Sequence, residues 1–155
     1  MRLALYQPDI AQNAGTILRL GACLGVAIDI IEPCGFPFGE ASLKRAGLDY
    51  LDRADFVRHE SWGTFLATNP QRLVLLTTRA DRAYTDFAFE PSDTLLLGRE
   101  SAGVPADVAA RASARLKIPL KPGMRSLNVA VAAAMVLGEA LRQTNQFPPV
   151  ESARS

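Results

Sequence analysis

Cysteine, histidine and long apolar runs are scarce in this chain of 155 residues, and each scarcity excludes a class of protein. Two cysteines and a single histidine do not supply the clustered ligands of a zinc site or the paired thiols of a disulfide framework. We therefore expect no metal cofactor and reduced thiols. No apolar run is long enough for a membrane helix, and the first residues contain no apolar segment of signal-peptide length. We therefore expect a cytoplasmic protein with no membrane partner.

The chain also lacks a marked excess of charge of either sign. Its 17 lysines and arginines oppose 16 aspartates and glutamates, so the net charge of +1 does not by itself indicate a nucleic-acid partner. The balance differs locally, because residues 111–125 contain no acidic residue. The basic residues of this stretch are Arg111, Arg115, Lys117, Lys121 and Arg125. They fit a phosphate-binding face and an ordinary solvated surface equally well.

Short apolar runs alternate along the chain with segments of helical period. Strands are predicted at residues 3–6, 27–31, 73–77, 94–97 and 116–120, with a weaker candidate at 56–59. Helices are predicted at residues 14–24, 61–68, 105–112 and about 126–144, and the loop at 79–93 is expected to be polar and irregular. This alternation is typical of an α/β fold in which helices flank a parallel sheet. We expect one domain at residues 1–146 and a flexible tail at 147–155.

The last predicted helix is apolar nearly all round and rich in small residues. Its small residues are Ala130, Ala132, Ala133, Ala134, Gly138 and Ala140. A helix with this pattern is buried on more than one side, so it either fills the centre of the domain or also meets a second subunit. Because the chain is short, we expect a homodimer.

The loop at residues 98–105 follows a predicted strand and contains two glycines five residues apart. Glycines at the carboxyl end of a parallel strand let the backbone approach a ligand, since ligands bind at that edge of such sheets. Glu100, between the glycines, could bind a ribose hydroxyl or favour a cationic group. The loop matches neither a Walker A sequence nor the G-x-G-x-x-G fingerprint. Taken alone, it fits a plain strand-to-helix turn better than a binding loop.

Two further segments carry polar residues at predicted helix starts. Ser126 can cap the last helix after a Pro-Gly turn, and Asn128 would lie in its first turn. Helix N-termini present free N–H groups that suit anionic or carbonyl atoms of a ligand. Asn13 can cap the first helix, from which Arg19 would point towards a ligand. Each feature alone also fits an ordinary capping residue or a solvated arginine.

These three segments occur in the order of the motifs of the SPOUT superfamily of knotted RNA methyltransferases, which the chain resembles. Residues 13–19 match the motif N-x-G-x-x-x-R, and residues 98–105 match G-x-E-x-x-G-x-P. The third motif, I-P followed by R-S-x-N, is matched by Ile118-Pro119 and by Arg125-Ser126-Leu127-Asn128. The strings at residues 31–33, 45–50 and 76–78 resemble the compact branch that methylates the wobble nucleotide of tRNA. The resemblance extends from about residue 3 to residue 143.

The resemblance implies an enzyme that binds S-adenosyl-L-methionine (SAM) within a carboxy-terminal trefoil knot and works as a homodimer. By matching position, the implied SAM-site residues are Leu76, Gly98, Glu100, Gly103, Ile118, Leu120, Ser126 and Asn128. Asn13 and Arg19 are the implied catalytic residues. The chain departs from the family pattern at Ala102, where many relatives carry arginine, and at Ala130, where a second serine is common.

The implied reaction is 2′-O-methylation of the ribose of cytidine or uridine 34 in tRNA. The family's first-motif arginine, here Arg19, is often assigned as a general base. A guanidinium does not readily lose its proton, so a role in holding the adjacent phosphate and stabilising a developing alkoxide is easier to defend. Two alternatives are methylation of ribosomal RNA and a non-catalytic RNA-binding protein of the same fold. No DNA partner is expected.

Overall fold

The computed structural model describes residues 1–45 and 50–151. Within these ranges the strands are β1 Arg2–Tyr6, β2 Ala27–Ile31, β3 Phe56–His59, β4 Arg72–Leu76, β5 Arg82–Ala83, β6 Asp93–Leu97 and β7 Ala114–Lys117. The helices are α1 Ala11–Leu24, α2 Glu40–Arg45, α3 Trp62–Ala67, α4 Ala106–Ala110 and α5 Val129–Thr144. Short 3₁₀ turns lie at Leu51–Arg53 and Tyr84–Asp86. Part of the 45–50 string and the end of the expected tail lie outside the described residues, and the division into a domain and a tail stays a prediction.

The strands form one sheet in the order β3-β2-β1-β6-β4-β7-β5, and every neighbouring pair is parallel. The predicted α/β fold with a parallel sheet is therefore confirmed. Because all strands point the same way, their carboxyl ends meet at one edge. Strands β1 and β6 are neighbours in the sheet, but the chain leaves them in opposite directions along the strand order. After β1 it continues to β2, towards one edge strand, and after β6 it continues to β7, towards the other. Ligands bind beside such a reversal of strand order.

The core has two layers, one on each face of the sheet. Alternate residues of β1 point to opposite faces, so Leu3 and Leu5 pack with α1 and α5, whereas Ala4 and Tyr6 pack with α3 and α4. The central strand β6 is buried along its whole length. Burial on both faces explains why the strands are continuous apolar runs.

Helix α1 ends where the sequence indicates but begins earlier. Gly25 adopts the left-handed conformation, with a φ of 67°, and caps the helix as predicted. The prediction that Asn13 caps α1 is wrong, because Ile10 occupies the capping position and Asn13 lies in the first turn. Its side chain is therefore available for contacts outside the helix.

The boundaries around the third motif also differ from the prediction. Strand β7 ends at Lys117 rather than at residue 120, and α5 begins at Val129 rather than near 126. Ser126 is therefore not the cap. Instead, Oδ1 of Asn128 accepts hydrogen bonds from the backbone N–H groups of Ala130 and Val131 at 2.8 and 3.3 Å. Asparagine and serine cap helices about equally well, so the sequence alone does not choose between these two positions.

The segment at 79–93 is more ordered than predicted. It contains β5, a 3₁₀ turn and two buried aromatic residues, Phe87 and Phe89, whose rings pack edge to face 5.0 Å apart. Arg72 anchors its end, since Nε and Nη2 donate to the two carboxylate oxygens of Asp93 at 2.6 and 2.8 Å. The polar composition of the segment gives no indication of these contacts. Helix α2 is a further element that the sequence did not predict.

Helix α5 buries one side and leaves an apolar strip on the other. Ala133, Val136 and Leu137 are fully buried, and α5 packs against α1. Val131 and Met135, four residues apart and therefore on the same side, are 49% and 41% exposed. In the single chain α5 is therefore buried on one side, and the first alternative, that it fills the centre of the domain, is not seen. Among the described residues, no helix is both long and apolar enough to cross a membrane.

Candidate functional site

A cavity of about 580 Å³ opens at the carboxyl edge of the sheet. Its walls come from the ends of β4, β6 and β7, the loops that follow them, and the first residues of α1 and α5. This volume lies within the usual range for small-molecule sites. The cavity is thus in the position where parallel α/β sheets bind ligands.

Most of the side chains singled out from the sequence meet around this cavity. The lining includes Asn13, Leu76, Gly98, Glu100, Gly103, Ile118, Leu120, Ser126 and Asn128. These residues come from four separate segments of the sequence, which only the fold brings together. Arg19 does not line the cavity. It is exposed on α1, with its guanidinium carbon 4.7 Å from the centre of the Tyr50 ring.

The loop after β6 is closed by its two glycines. Arg99 and Gly103 exchange backbone hydrogen bonds of 3.0 and 2.8 Å, and Gly103 has a φ of 64°. A Cβ on Gly98 would lie only 2.7 Å from the carbonyl carbon of Gly103. The glycines therefore serve a tight backbone-to-backbone approach, and the closed loop forms one wall of the cavity.

A chain of polar side chains joins the three motif segments. Nδ2 of Asn128 donates to Oδ1 of Asn13 at 3.0 Å, and Nδ2 of Asn13 lies 3.4 Å from Oε1 of Glu100. The other oxygen of Glu100 accepts a hydrogen bond from the backbone N–H of Asp9 at 2.8 Å. Since Asn128 also caps α5, the network connects the cavity loop with the start of that helix.

Asp9 contacts the loop after β6, a role that sequence reasoning missed. Its carboxylate accepts hydrogen bonds from the guanidinium of Arg99 and from the backbone N–H and hydroxyl of Ser101. The Arg99 contact and then the Ser101 hydroxyl lower the pKa of Asp9 from 3.8 to about 2. An isolated aspartate after a strand carries no signal for this role, because its partners lie 90 residues further along the chain.

The cavity wall combines apolar and polar surfaces. Leu76, Ile118 and Leu120 contribute apolar side chains, whereas the 98–103 loop and residues 125–128 contribute backbone and polar groups. Lys117 and Arg125 add positive charge at the lining. Such a site suits a small molecule that has both an apolar part and polar groups.

Comparisons with known proteins agree with this architecture. The SpoU rRNA Methylase family matches residues 1–138. The chain is 61% identical over 154 residues to the tRNA (cytidine(34)-2'-O)-methyltransferase of Beijerinckia indica subsp. indica, which covers 97% of this chain and 96% of that protein. It is also similar to a structure solved for the 2-OH methylation of C/U34 on tRNA, with a TM-score of 0.86, 42% identity, and coverage of 92% of this chain and 94% of that chain.

A further similar structure is the SpoU methyltransferase AviRb from Streptomyces viridochromogenes in complex with the cofactor AdoMet. Its TM-score is 0.80 at 26% identity, and the match covers 92% of this chain and 60% of that chain. The family match extends over most of this chain and includes the segments that line the cavity. The chain therefore belongs to the SpoU rRNA Methylase family.

Proposed function

We propose that this protein is a SAM-dependent tRNA 2′-O-methyltransferase that modifies the ribose of nucleotide 34, a cytidine or a uridine. The observation that carries the proposal is the meeting of three motif segments around one cavity, in a chain that matches a tRNA (cytidine(34)-2'-O)-methyltransferase along nearly its whole length. We propose that the protein acts in the cytoplasm. The carboxy-terminal trefoil knot stays a prediction.

The residues of the cavity fit SAM. The apolar side chains of Leu76, Ile118 and Leu120 suit an adenine ring, and the polar groups of the 98–103 loop and of Ser126 suit the ribose and the amino-acid part. A relative at 26% identity was solved with AdoMet, which supports this choice. When bound, SAM would supply the methyl group from its sulfonium, with a neutral thioether as the leaving group and the proton of the 2′-hydroxyl released to solvent.

We assign the chain's own residues mainly to alignment of the reacting groups. Correct positioning of two reactants can contribute roughly 7–11 kcal/mol to lowering a barrier. The side chain of Asn13 is hydrogen-bonded to Glu100 and Asn128, so we propose that it holds these two residues in fixed positions at the cavity. Arg19 would hold the RNA phosphate beside the reacting ribose and stabilise negative charge on its 2′ oxygen.

Because Arg19 lies outside the cavity of its own chain, we propose that a homodimer completes the site. The exposed apolar residues Val131 and Met135 of α5, with Ile10 and Leu127 at the cavity, would form the subunit interface. In this arrangement α1 of one subunit brings Arg19 to the cavity of the other. Sedimentation of the wild type and of Met135→Glu measures the interface, and a wild-type monomer would contradict the proposal.

Mixed dimers test the arrangement of Arg19 directly. Arg19→Ala should abolish methyl transfer while SAM binding survives, and Gly98→Ala should weaken SAM binding. A dimer that contains one subunit of each kind has an intact cavity on the first subunit and an Arg19 on the second. At a SAM concentration below the Kd of the Gly98→Ala cavity, activity above the sum of the two parents supports a site shared between chains, whereas mixtures no more active than that sum contradict it.

The basic stretch is the proposed contact with tRNA. Arg111, Arg115, Lys121 and Arg125 are exposed, and Arg125 also lines the cavity. Phosphate contacts make RNA binding salt-dependent. Replacing Lys121 by alanine should therefore weaken tRNA binding and reduce its salt dependence, with SAM affinity unchanged.

The decisive experiment for the proposed function is mass spectrometry of tRNA nucleosides from a strain that lacks the gene. We expect 2′-O-methylation at position 34 to be absent there and to return when purified protein and SAM are added. Arg19→Ala is the matched control and should restore nothing. Methylation of ribosomal RNA instead would support the first alternative, and no SAM binding at millimolar concentration would support the non-catalytic one.

A further inference from the structure

Asp9 contacts three consecutive residues of the loop after β6, although it is not itself among the residues that line the cavity. Its Oδ1 accepts hydrogen bonds from Nε and Nη2 of Arg99 at 3.1 and 2.7 Å. Its Oδ2 accepts from the backbone N–H of Ser101 at 3.1 Å and from the Ser101 hydroxyl. Its own backbone N–H donates to Oε2 of Glu100 at 2.8 Å. One residue thus holds both the side chains and the backbone of this loop.

Asp9 is itself held in place from the opposite side. The chain turns sharply after β1, where Gln7 has a φ of 44°. The backbone N–H of Gly35 donates to the carbonyl of Pro8 at 2.9 Å. A Cβ on Gly35 would come within 3.0 Å of both Cα and Oδ1 of Asp9. Asp9 is therefore packed between the loop after β2 and the cavity loop, with little room to move away.

The residues that Asp9 holds are the ones that shape the cavity. Arg99, Glu100 and Ser101 all belong to its lining. Glu100 continues the hydrogen-bond network to Asn13, and Asn13 continues it to Asn128 at the start of α5. A displacement of Asp9 would therefore disturb two walls of the cavity. At neutral pH its carboxylate is ionised, and the contacts with Arg99 and then Ser101 lower its pKa from 3.8 to about 2.

We propose that Asp9 is a positioning residue for SAM binding, which fixes Arg99, Glu100 and Ser101 in the conformation that forms one wall of the cavity. The inference rests on the proposed function, because it takes SAM as the ligand. It assigns to Asp9 control over cofactor affinity rather than a part in methyl transfer. The same arrangement leaves the Arg99 guanidinium paired with Asp9.

The test compares Asp9→Asn with a matched control, Glu32→Gln. Glu32 pairs with Arg58 at 2.5 Å, and its side chain is 24% exposed, against 17% for Asp9, but it does not line the cavity. For Asp9→Asn we expect the Kd for SAM to rise by at least about tenfold, equivalent to about 1.4 kcal/mol. Glu32→Gln should bind SAM as the wild type does.

Two further readouts separate positioning from a purely structural role. In steady-state kinetics, Asp9→Asn should raise the KM for SAM while kcat at saturating SAM and the KM for tRNA stay near wild type. In Asp9→Asn without ligand, backbone hydrogen exchange at residues 99–103 should be faster than in the wild type, whereas exchange in the central strands should be unchanged. A structural role would instead lower the fraction of active protein and leave the Kd of the folded fraction unchanged.

Each outcome decides the proposal. A wild-type Kd in Asp9→Asn overturns it, as does an equal loss of affinity in Glu32→Gln. If the wild type itself does not bind SAM, the proposed function fails, and unchanged exchange at residues 99–103 would then overturn the positioning role separately. Should Asp9→Asn not fold, Gly35→Ala displaces Asp9 without altering it and should weaken SAM binding by a smaller factor. Wild-type affinity in that variant overturns the proposal.

Discussion

Replacing Gly98 by alanine should open the loop that forms one wall of the cavity. The new Cβ would lie 2.7 Å from the carbonyl carbon and 2.8 Å from the Cα of Gly103, and both are backbone atoms that cannot rotate away. Carbon atoms in contact prefer a separation of about 3.5 Å, so the two backbone segments must move apart by roughly 0.8 Å. The hydrogen bonds of 3.0 and 2.8 Å between Arg99 and Gly103 cannot survive such a movement intact.

The expected magnitude follows from those two bonds. Each backbone hydrogen bond contributes about 1 kcal/mol net, so the free energy of unfolding should fall by about 2 kcal/mol. This value also lies within the usual 1–3 kcal/mol for overpacked substitutions. For a protein of this size the melting temperature should drop by roughly 4–8 °C. SAM affinity should fall by at least about tenfold, because binding must first restore the closed loop.

Urea unfolding and SAM calorimetry measure the two effects, and Gly63→Ala is the matched control. At Gly63 a Cβ would meet only the hydroxyl oxygen of Ser61, at an ordinary 3.7 Å. Since alanine is the better helix former, this variant should be as stable as the wild type or more stable, by up to about 1 kcal/mol. A Gly98→Ala protein with wild-type stability and SAM affinity would refute the argument from loop closure.

Three further predictions concern charge and burial. Asp93→Asn removes a fully buried partner of Arg72 and should lower the free energy of unfolding in urea by about 3 kcal/mol; a loss below 1 kcal/mol would contradict this. Burial raises the pKa of the Cys34 thiol to about 11, so iodoacetamide at pH 8 should alkylate exposed Cys23 first; equal rates would count against it. Because the pKa of Asp9 falls from 3.8 to about 2 on folding, its stabilising contribution is complete above pH 4 and is lost towards pH 2. The stability difference between wild type and Asp9→Asn should shrink over that range, and a difference independent of pH would refute the assignment.

Local patterns predicted the elements of this fold well where one physical rule dominated. Continuous apolar runs identified the buried strands, and Gly25 marked the end of α1 because few other residues adopt its left-handed conformation at low cost. The predicted cap of α5 was wrong because two nearby residues are chemically equivalent as caps. Ser126 and Asn128 are both good helix caps, and in the folded chain Asn128 caps α5 while its amide nitrogen also donates to Asn13.

The sequence by itself determined the layered α/β architecture, the motifs and most residues of the cavity lining, since periodicity and short motifs depend on neighbours along the chain. The tertiary structure decided which side chains contact those residues and which side chains lie outside the cavity. The carboxylate of Asp9 lies against a loop 90 residues away, and Arg19, only six residues after Asn13, lies outside the cavity that Asn13 lines. The first outcome follows from the order of the strands, because the sheet brings the ends of β1 and β6 side by side. The second follows from α1, in which six residues turn the side-chain direction by about 240° around the helix axis.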